Sequence, residues 1–445
     1  MMKEMISKIL EVGYGRADIT PGYPVGLAGS AASRLSEGSL DPIYITFLAF
    51  RQGAETYLVA TMDLVCTYEE FAAPLSDGLS RATGIPKEQI ILNSTHTHSS
   101  VALRNAEGAN VLQYRSDLSS WAIAAAKAAL DDLSPAAVWY GSRETTGMVW
   151  VRHYKMADGT YAGANYGSFK SGIVGHASEP DPQMQLIRFA RAEAGKQDII
   201  MMNFPSHATM NQKSILISAD FPGPARDYVA EKTGALVAYF IAGGGDQVPS
   251  SRVPEERFST DYEVYGREVG RLAVECLKNL QPAKASQLGF LQRTFVGQSN
   301  KSDLDRAEEA LAVKAIWEQV GGRGTEEGRA AAKSHGFSSV YEVTAILNRM
   351  QFEETRTLEL KAITLGEISI IFAPYEMFGA NAMQIKAASP SAMTFIVSCS
   401  QNHAGYLPSQ LGCKLRCYEA QITKLAPGTA EVLAEEFVDL LKSSQ

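Results

Sequence analysis

The chain has 445 residues, 45% of them hydrophobic and 20% charged, a composition typical of folded globular proteins rather than disordered or fibrous ones. Its formal net charge of -8 opposes attraction to a phosphate backbone, so we expect no nucleic-acid partner. No run of about 18 apolar residues occurs, so no transmembrane segment is predicted. Residues 1–10 lack the apolar core of a signal peptide, and five sparse cysteines favour free thiols, which together predict a cytoplasmic protein.

The predicted elements follow one order three times along the chain. Hairpins, recognised by β-branched and alternating apolar residues around glycine turns, run over 43–62, 184–202 and 358–372. Helices that stop at glycine or proline follow at 69–83, 224–233 and 381–388, and apolar strands come next at 90–92, 236–241 and 393–397. Long amphipathic helices close the units at 119–133, 261–280 and 431–441. The pattern predicts an α/β fold with mixed sheets built from three divergent hairpin-helix-strand-helix units.

One segment, residues 302–357, departs from this pattern. It is charged, rich in alanine and interrupted by glycines at 321–324, which predicts a helical insertion. Such an insertion serves either as a lid or surface hairpin or as a stabilising addition, and the sequence leaves both roles open.

Polar residues able to bind a metal follow the predicted strands. They are Asp63, His96, His207, Asp246, Glu376 and Tyr406. If the units are equivalent, these residues reach one edge of the sheets, where α/β proteins usually bind ligands. Imidazole nitrogens and carboxylate oxygens are zinc ligands, and a catalytic zinc keeps one position for water. The sequence therefore predicts a site with His96, His207 and Glu376 as ligands and Tyr406 as a further oxygen ligand.

The stretch 93–99 holds two histidines directly after an apolar strand. Alternate residues of a strand share a face, so His96 and His98 can supply one metal ligand and one supporting partner. A pair of hydrogen-bonded structural histidines is the alternative interpretation.

Three other features have plainer interpretations. The glycines 243–245 lack the Lys-Ser/Thr of a phosphate loop and predict a close approach of the backbone to the metal site. His153 is predicted to be half-buried and bonded to a loop carbonyl, with substrate contact as the alternative. His176, His335 and His403 lie in loops or in the insertion, where histidines are more often solvated than functional, and His403 is singled out as the exception because it precedes Tyr406 by three residues.

Several short runs resemble those of the neutral ceramidases. They are VGYGRADITP at 12–21, THTHS at 95–99, HATM at 207–210, Gly-Asp at 245–246 and YEA at 418–420. The resemblance extends from Val12 to the C-terminus. It implies one ceramidase-like catalytic domain over 12–445, with 302–357 inserted in it and without the family's C-terminal immunoglobulin-like domain.

The resemblance also implies a site and a reaction. Zinc would be bound by His96, His207, Glu376 and Tyr406, and the predicted catalytic residues are His98, Arg152, Tyr406 and Asp246. Arg152 falls where the family has an arginine needed for activity. The implied reaction is hydrolysis of the N-acyl amide of a small-molecule substrate by water activated on Zn²⁺.

Two departures from the family pattern bear on the substrate. Val248 stands where the family has a serine, and residues 100–103, Ser-Val-Ala-Leu, replace a glycine-proline-glycine run. Valine neither donates a hydrogen bond nor acts as a nucleophile, so we expect a substrate smaller than ceramide. The alternatives are a hydrolase of an ester, lactone or sugar derivative, and a non-catalytic metal- or ligand-binding protein.

Overall fold

The first unit has the predicted order of elements. In the computed structural model, which describes residues 9–29, 34–104, 108, 110–163, 172–284, 286–401 and 403–443, it comprises β1 (Glu11–Asp18), β2 (Tyr44–Gln52), β3 (Glu55–Met62), α1 (Glu69–Thr83), β4 (Ile90–Ser94) and α2 (Val111–Asp131). β2 pairs antiparallel with β1 and β3, and β4 pairs parallel with β3. α2 begins at Val111 rather than at 119, because Val111, Tyr114 and Leu118 already form a buried stripe at helical spacing.

The second unit repeats these pairings. It comprises β5 (Ser134–Glu144), β6 (Trp150–Val151), β7 (His153–Met156), β8 (Tyr161–Gly163), β9 (Ile173–His176), β10 (Gln183–Arg191), β11 (Ile199–Phe204), α3 (Pro222–Thr233), β12 (Leu236–Ile241), β13 (Gln247–Val248), α4 (Tyr262–Leu277) and β14 (Gln281–Pro282). β10 pairs antiparallel with β5 and β11, and β12 pairs parallel with β11. β6 to β9 and β13 form small ladders beside the main sheet.

The third unit completes the repetition. It comprises β15 (Leu288–Gln298), α5 (Ala307–Gln319), α6 (Glu326–Ser334), α7 (Val340–Arg349), β16 (Thr355–Leu365), β17 (Ile368–Phe372), β18 (Glu376–Met377), α8 (Gly379–Ala388), β19 (Met393–Val397), β20 (Tyr406–Leu407), α9 (Gln410–Lys414), α10 (Tyr418–Ile422) and α11 (Thr429–Lys442). β16 pairs antiparallel with β15 and β17, and β19 pairs parallel with β17. The recurring pairings confirm the predicted α/β fold with mixed sheets built from repeated units.

The units assemble into two sheets that pack face to face. The first two units share a sheet with the order β12-β11-β10-β5-β1-β2-β3-β4, and the third forms a sheet with the order β15-β16-β17-β19. In β2, Phe47 and Ala49 pack against α1 and α2, whereas Leu48 and Phe50 face the second sheet. Burial on both faces explains why such strands are continuous apolar runs. α3 and α4 cover the rest of the larger sheet, and α8 and α11 cover the smaller one.

The segment between β15 and β16 is helical. α5, α6 and α7 enclose an apolar cluster of their own that includes Val313, Trp317 and Val343. β16 begins at Thr355, so the last residues of the segment 302–357 belong to the strand. These helices, like the others in the described ranges, fall short of the length and hydropathy needed to cross a bilayer.

Strand ends from the three units meet at one edge. The parallel pairs β3–β4, β11–β12 and β17–β19 all lead to it. Asn93, in β4, forms a bridge with Ser400 and donates its side-chain amide to Ser398 O. Asn203, in β11, donates to Ile396 O at 2.8 Å. These buried amides fix the strand ends of the first two units to the third.

Candidate metal centre

Four of the predicted residues converge beyond these strand ends. His96 follows β4, His207 follows β11, and Glu376 and Tyr406 are partners in the parallel β18–β20 pair. The Nε2 atoms of His96 and His207 lie 3.1 and 3.2 Å from Glu376 Oε2. Tyr406 Oη lies 3.2 Å from His207 Nε2. The structure thus brings together, in a buried cluster, the four residues that the sequence proposed as metal ligands.

Backbone carbonyls orient both imidazoles. His96 Nδ1 donates to Val65 O and His207 Nδ1 donates to Gly244 O, each at 2.6 Å. A carbonyl can only accept, so in a neutral ring the Nδ1 atom carries the hydrogen and Nε2 presents its lone pair toward Glu376. Metal-binding histidines are held in this way.

The backbone around the cluster is constrained. β4 ends at Ser94 and His96 has a φ of 68°, so the extended run expected through His98 is interrupted by a left-handed residue. A Cβ atom on Gly245 would lie 2.8 Å from Glu376 O and 2.9 Å from Met377 O. The glycine segment therefore approaches the backbone of the cluster closely, as the sequence predicted.

The donor set fits a metal ion better than it fits a hydrogen-bond network. Glu376 Oε2 is buried and has no hydrogen-bond partner in acceptable geometry, although both Nε2 atoms lie close to it. Ligands about 2.0–2.1 Å from a tetrahedral zinc lie about 3.3 Å from one another. The observed separations of 3.1 and 3.2 Å are close to that value.

Burial and neighbouring charges set the ionisation of the cluster. Burial raises the pKa of Glu376, but the His96 imidazole beside it holds that pKa well below its usual range. Burial, together with the positive charge of Arg152, lowers the pKa of His207 to about 4. Burial also acts to lower the pKa of His96, but Cys399 and Glu376 raise it well above its usual range. An anionic carboxylate beside the neutral His207 is the ligand form that a divalent cation needs.

His98 borders the cluster without touching Glu376. Its Nδ1 lies 3.1 Å from Gly29 O and its Nε2 lies 3.3 Å from His96 Nε2. Burial lowers the pKa of His98 well below its usual range, and the neighbouring His96 imidazole acts in the same direction. A neutral His98 therefore directs an unprotonated nitrogen toward the centre.

Arg152, His153 and Glu419 form a second polar group beside Tyr406. Arg152 donates from Nε to Glu419 Oε1 at 2.6 Å, and its guanidinium lies 5.4 Å from the centroid of the Tyr406 ring. His153 Nε2 lies 2.9 Å from Glu419 Oε2, so His153 is buried against a carboxylate rather than half-buried against a carbonyl. Sequence reasoning gave Glu419 no role, and its place in the YEA run was the available signal.

Two of the six strand-end residues point elsewhere. Asp63 forms a buried ion pair with Arg226 of α3, from the second unit, at 3.0 Å. Asp246 accepts a hydrogen bond at Oδ1 from Gly379 N, the first residue of α8, at 2.8 Å. Burial raises the pKa of Asp246 to about 6. Asp246 thus sits beside the centre, and its carboxylate satisfies a helix N-terminus.

Residues that the sequence did not assign lie behind Glu376. His403, expected to be solvated, is buried with Nε2 3.4 Å from Glu376 Oε1. Cys66 Sγ lies 3.6 Å from His403 Nε2, and Cys399 Sγ lies 3.6 Å from His96 Nδ1. The solvated expectation was wrong because the loop before β20 folds back over the end of β3 rather than into solvent. The sequence had singled out His403 among the loop histidines because of its closeness to Tyr406, without giving it a role.

A cavity of about 650 Å³ opens beside the polar group of Arg152, His153 and Glu419. Its polar lining comes from both the insertion and the rest of the fold, and includes His153, Asp303, Arg306, Glu342 and Arg416. His153 joins this cavity to Tyr406 through Glu419 and Arg152. The described structure therefore offers a mixed polar and apolar space near the cluster.

The fold is similar to known ceramidase structures. Neutral ceramidase from Pseudomonas aeruginosa superimposes with a TM-score of 0.72 and 17% sequence identity, over 98% of this chain and 74% of that one. A structure described as a ceramidase complexed with C2 gives a TM-score of 0.71 and 15% identity, over 98% of this chain and 75% of the other. No protein-family model and no curated protein matches the sequence. The chain has a neutral-ceramidase-like fold, as the short motifs predicted, with a strongly diverged sequence.

Proposed function

We propose that this chain is a zinc-dependent hydrolase that cleaves the N-acyl amide of a small polar substrate with metal-activated water. The observation that carries the proposal is the convergence of His96, His207, Glu376 and Tyr406 around a buried carboxylate oxygen that has no hydrogen-bond partner. The similarity to ceramidase structures supports the same reaction class.

In this proposal His96, His207, Glu376 and Tyr406 hold the metal. Zinc bound there would lower the pKa of a coordinated water toward ~7 and polarise the scissile carbonyl. His98 accepts a proton at Nε2, since its Nδ1 hydrogen is donated to Gly29 O.

Arg152 stabilises the negative charge that develops during the reaction, and Asp246 positions Arg152. Arg152 places a fixed positive charge beside Tyr406, where negative charge develops on the carbonyl oxygen. The backbone carbonyl of Asp246 orients Arg152 by accepting a hydrogen bond from the backbone N–H of Arg152 at 2.9 Å.

The substrate proposal rests on the shape and polarity of the surroundings. Val248, paired with Trp150 in the β13–β6 ladder, offers no hydrogen bond where the family has a serine. The neighbouring cavity carries charged groups of both signs rather than a continuous apolar wall. A soluble acyl compound with a polar headgroup suits this space better than a long-chain lipid does.

Metal content tests the centre directly. His96→Ala and His207→Ala each remove one of the few ligands of this centre, so each variant should lose the zinc bound there together with its activity. His335→Ala is the matched control, since His335 follows α6 in the insertion. Elemental analysis after dialysis gives the result, and full zinc content in both ligand variants would refute the assignment.

A substrate panel tests the reaction. Short-chain N-acyl amides should be cleaved with a kcat/KM at least ~10-fold above that for long-chain ceramide. Robust cleavage of long-chain ceramide would contradict the proposed substrate class. A preference for matched esters or lactones would identify the alternative hydrolase, and a zinc-loaded protein inert toward the whole panel would identify a binding protein.

A further inference from the structure

Glu376 faces a second group of metal-binding atoms with its other oxygen. Whereas Oε2 faces His96 and His207, Oε1 lies 3.4 Å from His403 Nε2. Cys66 Sγ lies 3.6 Å from the same Nε2 atom. One ligand atom from each of Cys66, Glu376 and His403 lies within 4.8 Å of the other two, and all three residues are buried.

The distances of His403 Nε2 from Glu376 Oε1 and from Cys66 Sγ suit metal coordination better than hydrogen bonding. A charge-assisted bond between an imidazole and a carboxylate is about 2.7–2.9 Å long, and the His403–Glu376 contact is 3.4 Å. Tetrahedral zinc with bonds of about 2.3 Å to sulfur and about 2.05 Å to nitrogen or oxygen places S and N about 3.6 Å apart, and N and O about 3.3 Å apart. The observed values of 3.6 and 3.4 Å match those edges.

The second group of atoms lies between two units of the fold. His96 Nδ1, whose hydrogen is donated to Val65 O, lies 3.9 Å from Cys66 Sγ. Cys66 follows β3, while His403 precedes β20. The group therefore joins the first unit to the third, with Glu376 between the two clusters.

We propose that Cys66, His403 and Glu376 bind a second divalent metal ion, so that the Glu376 carboxylate bridges two metals. This inference rests on the proposed function, because it shares Glu376 with the first centre. A thiolate ligand selects zinc or a similar borderline metal over magnesium or calcium. Hydrolases with two metals hold them about 3.5–4 Å apart, a span that one carboxylate can bridge.

Cobalt titration of the metal-free full-length chain tests the second site. The wild-type protein should bind about two equivalents of Co²⁺ and develop a sulfur-to-cobalt charge-transfer band in the near ultraviolet. Cys66→Ser and His403→Gln should each bind about one equivalent, and Cys66→Ser should show no such band. Cys276→Ser, which alters another buried cysteine in α4, is the matched control and should behave as the wild type.

The outcomes separate this inference from the proposed function. If the wild type binds one equivalent of Co²⁺ without a sulfur band, and His207→Ala binds none, the second site is refuted and the first is retained. No bound metal in the wild type would overturn both. A band and full stoichiometry that persist in Cys66→Ser would also overturn the second site. Circular dichroism monitors folding. If Cys66→Ser does not fold, the number of Co²⁺ equivalents bound by His403→Gln decides whether the second site exists.

Discussion

At the scale of single residues, Tyr406 is proposed to act through its hydroxyl rather than through packing. Its ring packs with Phe378 and Cys417, while its Oη lies 3.2 Å from His207 Nε2. We expect Tyr406→Phe to lower kcat/KM by roughly 10²-fold and to reduce the free energy of unfolding by only about 1 kcal/mol. Steady-state kinetics and thermal unfolding provide the measurement.

The control for this variant is Tyr140→Phe, which removes a hydroxyl bonded to Glu367 away from the centre. That variant should retain activity. A large fall in Tm for Tyr406→Phe, with activity falling in proportion to folded protein, would instead make Tyr406 a structural residue.

Gly245 shows how backbone proximity limits the sequence at the centre. An added Cβ would meet two backbone oxygens, of Glu376 and Met377, which cannot move as a flexible side chain does. We expect Gly245→Ala to destabilise the fold by about 1–3 kcal/mol and to weaken metal binding by displacing Glu376. Gly22→Ala, where a Cβ would meet nothing within 4 Å, should be near neutral in denaturant unfolding. Equal unfolding midpoints for the two variants would contradict this argument.

At the scale of elements, a buried ion pair connects β3 of the first unit to α3 of the second. Arg226 and Asp63 are 3% and 1% exposed and lie 3.0 Å apart, so losing one partner leaves an uncompensated charge. We expect Arg226→Met to reduce the free energy of unfolding by about 3–5 kcal/mol. Urea unfolding measures the change.

The double variant Arg226→Met with Asp63→Asn should recover part of that loss, because it removes the stranded carboxylate. The exposed pair between Lys232 and Glu231 serves as the control, and Lys232→Ala should not change stability measurably. A double variant less stable than Arg226→Met would show that the ion pair is not the origin of the effect.

At the scale of the whole molecule, the proposed metal centre would cross-link the three units. His96 comes from the first unit, His207 from the second, and Glu376 and Tyr406 from the third. A ligand that binds only the folded state at a hundredfold excess over its Kd stabilises by about 2.7 kcal/mol. Chelation should therefore lower the Tm of the wild type, and added zinc should restore it. Calorimetry with His207→Ala is the comparison, since a chelator should shift the Tm of that variant less than it shifts the Tm of the wild type.

Local patterns in the sequence determined the elements. Apolar periodicity and glycine or proline stops depend on neighbouring residues, so the predicted α1 matches Glu69–Thr83 and the predicted strands 236–241 and 393–397 match β12 and β19. The recurrence of one order of elements also placed His96, His207, Glu376 and Tyr406 at strand ends. Four residues far apart in sequence could thus be proposed as one cluster.

Tertiary packing decided what each polar strand end meets. Asp63 pairs with Arg226 of the second unit, whereas His403 reaches Glu376 because its loop folds back into the interior. The contact of Arg152 with Glu419 joins residues 267 positions apart, and the two sheets meet through side chains of separate units. No local periodicity encodes such contacts, because they depend on how whole units pack after their strands and helices have formed.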